Sequence, residues 1–145
     1  MKNHQTLVNL EKILANSYAL SLKIQNYHWN VVSKNFKSLH ELFGAQYEEL
    51  ANAIDEIAER MRALDSKVEA TFENFSKLSK IKNGDKNFSD KEMISDLISG
   101  HEFLSELLKK SIKTAQEEGD EVSVDIFIGR NNFHEKAIWM LRSSL

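Results

Sequence analysis

Proline occurs nowhere in the 145 residues. Proline removes a backbone donor and clashes with the preceding turn, so it is the strongest single breaker of a helix. A chain of this length without it is free to run its helices long and unbroken. The apolar pattern predicts that it does so.

From about Thr6 to about Val32, residues Leu10, Ile13, Leu20, Ile24, Tyr27 and Val31 recur at steps of three, four and seven. That is one face of a 3.6-residue period. Ser33, Lys34 and Asn35 interrupt it. A second helix is expected from about Ser38 to Leu64, with the stripe Leu39, Phe43, Tyr47, Leu50, Ile54, Ile57, Met61 and Leu64. Two long helices joined by a short turn pack antiparallel. The stretch from Asp65 to Phe88 reads as a crossover with one short helix at Phe72, Phe75 and Leu78, followed by a lysine-rich loop. Ser89 and Glu92 have capping-box spacing and open a third helix. Met93, Leu97, Phe103 or Leu104, Leu107 and Ile112 form its apolar face, and Gly119 is placed to end it in a left-handed cap. The last helix is expected from about Asp120 to Arg142, with Val122, Ile126, Phe133, Ala137, Trp139 and Met140 inward or nearly so. A long crossover between the second and third helices makes those two parallel. The expected fold is therefore all-α, a four-helix bundle of ferritin-like connectivity in a single domain over residues 1–145.

Composition narrows the function. Hydrophobic residues are 41% and charged residues 28%, as in ordinary globular chains. The absence of cysteine excludes disulfide scaffolds, thiolate metal sites and cysteine nucleophiles. No apolar run approaches the ~18 residues of a membrane span, and the first ten residues lack a signal-peptide core. A cytoplasmic protein with no membrane partner is the expectation. The net charge of -3 counts against nucleic acid as the main ligand.

Four polar residues converge. A turn centred near Lys34 pairs residue i with about 68 minus i, so His28 faces His40. Asp55 and Glu59, four apart, project from one helical face. His40 and Asp55 are separated along one helix by roughly 22 Å at 1.5 Å per residue, too far for a single ion. The pairs meet only if a second copy of this helix lies antiparallel across a two-fold axis, which makes two equivalent sites per dimer. Imidazole and carboxylate with open positions suit iron, zinc or manganese. The intra-bundle Glu-x-x-His motif of di-iron proteins is absent. The residues three before each histidine are Met1, Gln25, Lys37, Ile98 and Asn131.

Asn26-Tyr27-His28-Trp29-Asn30-Val31, Phe36-Lys37-Ser38-Leu39-His40-Glu41-Leu42-Phe43 and Asp55-Glu56-Ile57-Ala58-Glu59-Arg60 resemble the conserved blocks of the Dps family, the mini-ferritins. The ending Ala137-Ile138-Trp139-Met140-Leu141 is similar too. The resemblance covers nearly the whole chain. It implies a hollow shell of twelve subunits that oxidises Fe(II), preferably with hydrogen peroxide, and stores ferric iron, protecting against oxidative damage. It implies His28 and His40 as catalytic iron ligands from one subunit, with Asp55 and Glu59 from its two-fold mate. Trp29 is expected near the centre, or as a packed interface aromatic.

One position departs from the family. Many members carry a carboxylate four residues after the second histidine, where this chain has Gly44. Acidic residues near the third-to-fourth helix junction are implied to line an iron-entry pore, with Asp120 and Asp125 as the candidates. DNA binding is expected to be absent or weak, because only Lys2 precedes the first helix and the lysines at 77, 80, 82, 86 and 91 read as a solvated loop. The alternatives are a DNA-coating structural shell with a weak or zinc-occupied metal site, and a helical interaction protein without metal.

Overall fold

Each predicted helix is present in the computed structural model, which describes residues 3–145. The elements are α1 (His4–Asn30), α2 (Phe36–Ala63), α3 (Phe72–Leu78), α4 (Asp90–Glu117) and α5 (Glu121–Arg142). No strand occurs among the described residues.

The helix ends follow local chemistry. The Ser89 hydroxyl accepts from the Glu92 N–H at 3.1 Å, and the Glu92 carboxylate accepts from the Ser89 N–H at 2.9 Å. This is the predicted capping box at the start of α4. Gly119 ends α4 at φ 73°. The N–H groups of Gly119 and Asp120 reach back to the carbonyls of Gln116 and Ala115, at 3.1 and 2.9 Å. That is a Schellman motif, which satisfies carbonyls left open at a helix end. The end of α2 repeats it with Asp65 in the glycine position, at φ 66°, and Ser66 N–H on the Met61 carbonyl at 3.0 Å.

Side-chain pairs fix the directions of the helices. Glu118, at the end of α4, accepts from the N–H groups of Gln5 and Thr6 and from the Thr6 hydroxyl. It therefore caps the start of α1, where Asn3 makes no cap bond of its own. Lys23 meets Asp96 at 3.1 Å further along, so α1 and α4 run antiparallel. Gln46 meets His101, and Arg60 meets Asp120 beyond the end of α4, which makes α2 and α4 parallel. Glu49–Arg130 and Arg60–Ser123 set α5 antiparallel to α2. This is the expected ferritin-like bundle with its long crossover. The crossover is pinned at two points. The Asn16 side chain accepts from Lys80 N–H at 2.8 Å, and the Tyr27 hydroxyl accepts from Asp85 N–H at 3.2 Å while donating to Asp96.

The predicted stripes of α1 and α2 form the core, with Leu10, Ile24, Tyr27, Phe43, Leu50 and Ile57 fully buried. On α4 the choice falls on Leu104, fully buried, over Phe103. In the crossover helix Phe75 is buried, but Phe72 is 95% exposed. The α5 face needs correction. Val122, Trp139 and Met140 are exposed, and the inward residues are Val124, Phe127, Arg130, His134, Ala137, Ile138 and Leu141. Arg130 and His134 occupy inward positions of the true stripe, so a count of apolar residues alone rotates the helix.

Candidate metal centre

His28 lies in the last turn of α1 and His40 in the second turn of α2. The short turn brings them together as the hairpin register predicts. The rings stack with centroids 3.7 Å apart and planes 12° from parallel. Each Nδ1 donates to the other residue's backbone carbonyl, His28 to His40 at 2.6 Å and His40 to His28 at 2.7 Å. A donor at Nδ1 fixes the tautomer with its lone pair on Nε2, the arrangement in which an imidazole binds a metal. Neither Nε2 has a hydrogen-bond partner among the described residues. Phe36 stacks on the outer face of this pair, 5.0 Å from the His40 centroid, and the Tyr47 ring meets His28 edge-on.

The glycine in α2 makes this packing possible. A β-carbon on Gly44 would lie 3.0 Å from His28 Cε1 and 3.3 Å from His28 Nδ1. The His28 ring thus rests against the α2 backbone. In the sequence Gly44 stands out only as a missing ligand; its role in packing shows in the structure.

Asp55 and Glu59 stand further along α2, exposed and free of ion pairs within the described chain. Among the described residues no three of His, Cys, Asp or Glu come close enough to share a metal. One chain therefore brings together the histidine pair and, separately, the carboxylate pair. Between them the α1–α2 face is apolar. An open groove of about 560 Å³ is lined by Tyr18, Leu22, Ala51, Ile54, Phe72 and Phe75 among others. Leu22 is 59% exposed and Trp29 64% exposed on the same side of α1.

The junction acids have different roles. Asp120 is buried and caps α5, accepting from Ser123 N–H at 3.0 Å and from its hydroxyl at 2.6 Å. It also pairs with Arg60 at 2.6 Å. Burial alone would raise its pKa, but the Ser123 hydrogen bonds and the Arg60 charge outweigh it and hold the carboxyl below its ordinary value. Asp125, by contrast, is exposed, as are Glu117 and Glu121.

A second polar cluster, not foreseen from the sequence, lies inside the bundle. His101 Nε2 donates to Gln46 Oε1 at 2.9 Å, and its Nδ1 lies 2.9 Å from His134 Nδ1. Arg130 pairs with Glu49 at 2.6 Å beside them and lies over the Phe133 ring. The available signal was the step of four from Arg130 to His134 in register with Phe127 and Ala137.

Comparison with known proteins agrees with this fold. The ferritin-like domain model matches residues 7–145. "DNA protection during starvation protein 2" of Bacillus anthracis is 35% identical over 99% of this chain and 98% of its own length. The crystal structure of Dps from Staphylococcus aureus superposes with a TM-score of 0.95 at 33% identity, covering 100% of this chain and 98% of that one. The Dps protein of Vibrio cholerae O1, described as a member of a broad superfamily of ferritin-like diiron-carboxylate proteins, superposes at 0.93 with 27% identity, over 98% of this chain and 89% of its own. An all-helical bundle of this connectivity, matched over nearly its full length by such relatives, belongs to the Dps family of ferritin-like proteins.

Proposed function

We propose that this protein is a ferroxidase and iron store whose oxidation centre forms between two copies of the chain. Iron oxidation and storage is the general activity of the family. The observation that carries the reading to this chain is the histidine pair. Both Nδ1 atoms are tied to backbone carbonyls, which leaves two Nε2 lone pairs at the surface with no partner. An unpaired ring nitrogen, met by exposed carboxylates of a second copy, is the donor chemistry that divalent iron takes.

Asp55 and Glu59 of a second copy supply the remaining ligands when α2 packs antiparallel across a two-fold axis. The apolar groove between α1 and α3 supports that contact, since exposed Leu22 and Phe72 on a stable chain call for a partner. Closed symmetry makes the surface self-complementary, so each dimer carries two sites. Trp29, exposed in the single chain, falls at this interface. We assign a twelve-subunit shell to the assembly.

Hydrogen peroxide is the proposed oxidant. Two Fe(II) give up one electron each, the O–O bond breaks, and two protons complete two waters. The reaction removes both reactants of hydroxyl-radical chemistry. The four ligands bind and orient the iron; none of them acts as a proton donor in this scheme. Exposed Asp125, with Glu117 and Glu121, is the proposed attractor for entering Fe(II). Asp120 serves it indirectly by holding the start of α5. DNA is not assigned as a main ligand, and no helix among the described residues is long and apolar enough to cross a membrane.

The test is anaerobic loading with Fe(II) followed by peroxide, with ferric absorbance as the readout. His28→Ala/His40→Ala should lose rapid oxidation while light scattering shows an intact assembly. Unchanged oxidation in that variant would place the centre elsewhere. A monomeric wild-type protein would remove the intersubunit site. Tight zinc binding with no iron oxidation would favour a structural shell instead.

A further inference from the structure

We propose that the joint between α2 and α5 is an internal hydration site, in which one or two ordered waters sit between Arg130, Gln46 and Glu49 and complete a buried polar cluster. None of the four residues proposed to bind iron takes part.

The cluster is built from three helices. Gln46 and Glu49 lie one turn apart on α2, His101 comes from α4, and Arg130 and His134 lie one turn apart on α5. Arg130 is 6% exposed and Gln46 4%. Each uses only part of its bonding capacity. Gln46 accepts from His101 through Oε1, and Arg130 Nη1 donates to Glu49 Oε2 at 2.6 Å. Gln46 Nε2, Glu49 Oε1 and Arg130 Nε and Nη2 are buried and have no hydrogen-bond partner among the described residues. Nearly every buried polar group in a native fold is bonded, so four open atoms on three adjoining side chains call for a ligand.

The mix of donors and acceptor identifies it. Nε and Nη2 form one edge of the guanidinium, with two N–H bonds side by side that meet an accepting oxygen. The Gln46 amide adds a further donor. N–H groups offer no lone pair to a metal ion, and the Arg130 charge repels one. An anion fits the donors but not the acceptor. Glu49 Oε1 needs a hydrogen, and an anion brings a second negative charge beside it, where Arg130 is already paired at 2.6 Å. The imidazoles do not alter this balance. Burial and the Arg130 charge push His101 down to about 3, and burial above all holds His134 well below its ordinary value, so both rings are neutral. The ligand must therefore both accept and donate, carry no charge and fit between packed helices. Water does all three, and a polar site with two to four partners is where buried water is held. Phe133 covers one face of the guanidinium, 4.8 Å from its ring centroid, so the water approaches by the edge. The Glu49 side chain is 40% exposed, which gives it a route in from solvent.

Crystals of the assembled protein, soaked in sodium bromide and measured at a resolution that shows ordered water, test this. The expected result is a solvent peak within about 2.7–3.2 Å of Arg130 Nε or Nη2, with no anomalous bromide signal. Arg130→Met keeps an unbranched side chain but removes the donors, and the peak should vanish. Thermal melts give a second reading. At fixed ionic strength, exchanging chloride for formate should shift wild type and Arg130→Met equally, whereas a bound anion stabilises only the wild type. If Arg130→Met fails to assemble, the wild-type map alone decides. A bromide peak at the guanidinium edge, or formate stabilisation confined to the wild type, would overturn the proposal in favour of an anion site. A map without a solvent peak at that edge would overturn it as well.

Discussion

The Nδ1 atoms of His101 and His134 face each other at 2.9 Å inside the bundle, so one carries a proton and the other does not. Gln46 decides which. Because His101 Nε2 donates to its carbonyl, His101 Nδ1 is the acceptor and His134 Nδ1 the donor. Both rings are neutral in the folded chain. Burial, assisted by the Arg130 charge, pushes His101 down to about 3. Burial, then His101 and Arg130, hold His134 well below its ordinary value.

This arrangement predicts a stability that declines in mild acid. Unfolded histidines take up protons near pH ~6.5, while the folded pair resists protonation. The contribution is fully present above that pH and is lost as pH falls toward the folded values. Each histidine adds a limiting slope of about 1.4 kcal/mol per pH unit. Denaturant unfolding between pH 7.5 and 5 should show the decline. His101→Gln/His134→Gln should flatten it while lowering stability at neutral pH. An unchanged slope in that variant would assign the pH dependence to other groups.

Asp120 joins three elements, since it caps α5 and pairs with Arg60 from α2 at the junction beyond α4. Asp120→Ala removes a helix cap and leaves a partly buried guanidinium unpaired. The expected cost is about 2–4 kcal/mol, with Asp120→Asn recovering part of it through the cap. The sign of its pH dependence matches that of a depressed carboxyl. Its stabilisation is present above the unfolded carboxyl value near ~3.9 and is lost as pH falls below it. Thermal melts of the three proteins at neutral pH and at pH 3 measure both effects. Equal melting temperatures at neutral pH would show that the junction does not depend on this carboxylate.

Asp65 holds a left-handed backbone at the end of α2, in the Schellman position where glycine is favoured. Its side chain makes no hydrogen bond or ion pair among the described residues. Asp65→Gly should therefore stabilise the chain by about 0.5–1 kcal/mol, without change in metal binding. A lower melting temperature for Asp65→Gly would reveal a contribution of the carboxylate that outweighs the backbone strain.

Much of this molecule could be read from residue spacing. The hairpin register that set His28 against His40 needed only a turn position and the rise of a helix. The capping box at Ser89 and the left-handed Gly119 are local signals, and α4 begins and ends where those signals stand. The parallel run of α2 and α4 followed from the length of the crossover. What escaped was polar material in apolar places. Arg130 and His134 lie on the inward face of α5, which displaced the expected stripe onto Val122, Trp139 and Met140. Their burial is intelligible only with His101, Gln46 and Glu49, residues distant in sequence. Asp120 was legible as an acid but not as a cap for α5 with an arginine from another helix beside it. The distance between His40 and Asp55 argued for a second copy without the fold. The stacking of the two imidazole planes lies in the structure alone.

The placement of the two proposed ligand pairs at separate points on one chain has a bearing on safety during synthesis. With the intersubunit centre proposed above, a newly made subunit carries half of each of two centres and no complete one. It would then neither oxidise iron nor reduce an oxidant at that centre before it has found its mate. Redox competence would arrive with pairing, so reactive products would not be released by lone chains. Under this arrangement, oxidation rate per chain would fall on dilution below the dimer dissociation range. A rate proportional to the square of chain concentration there would be the kinetic imprint of a fail-safe built from helix length.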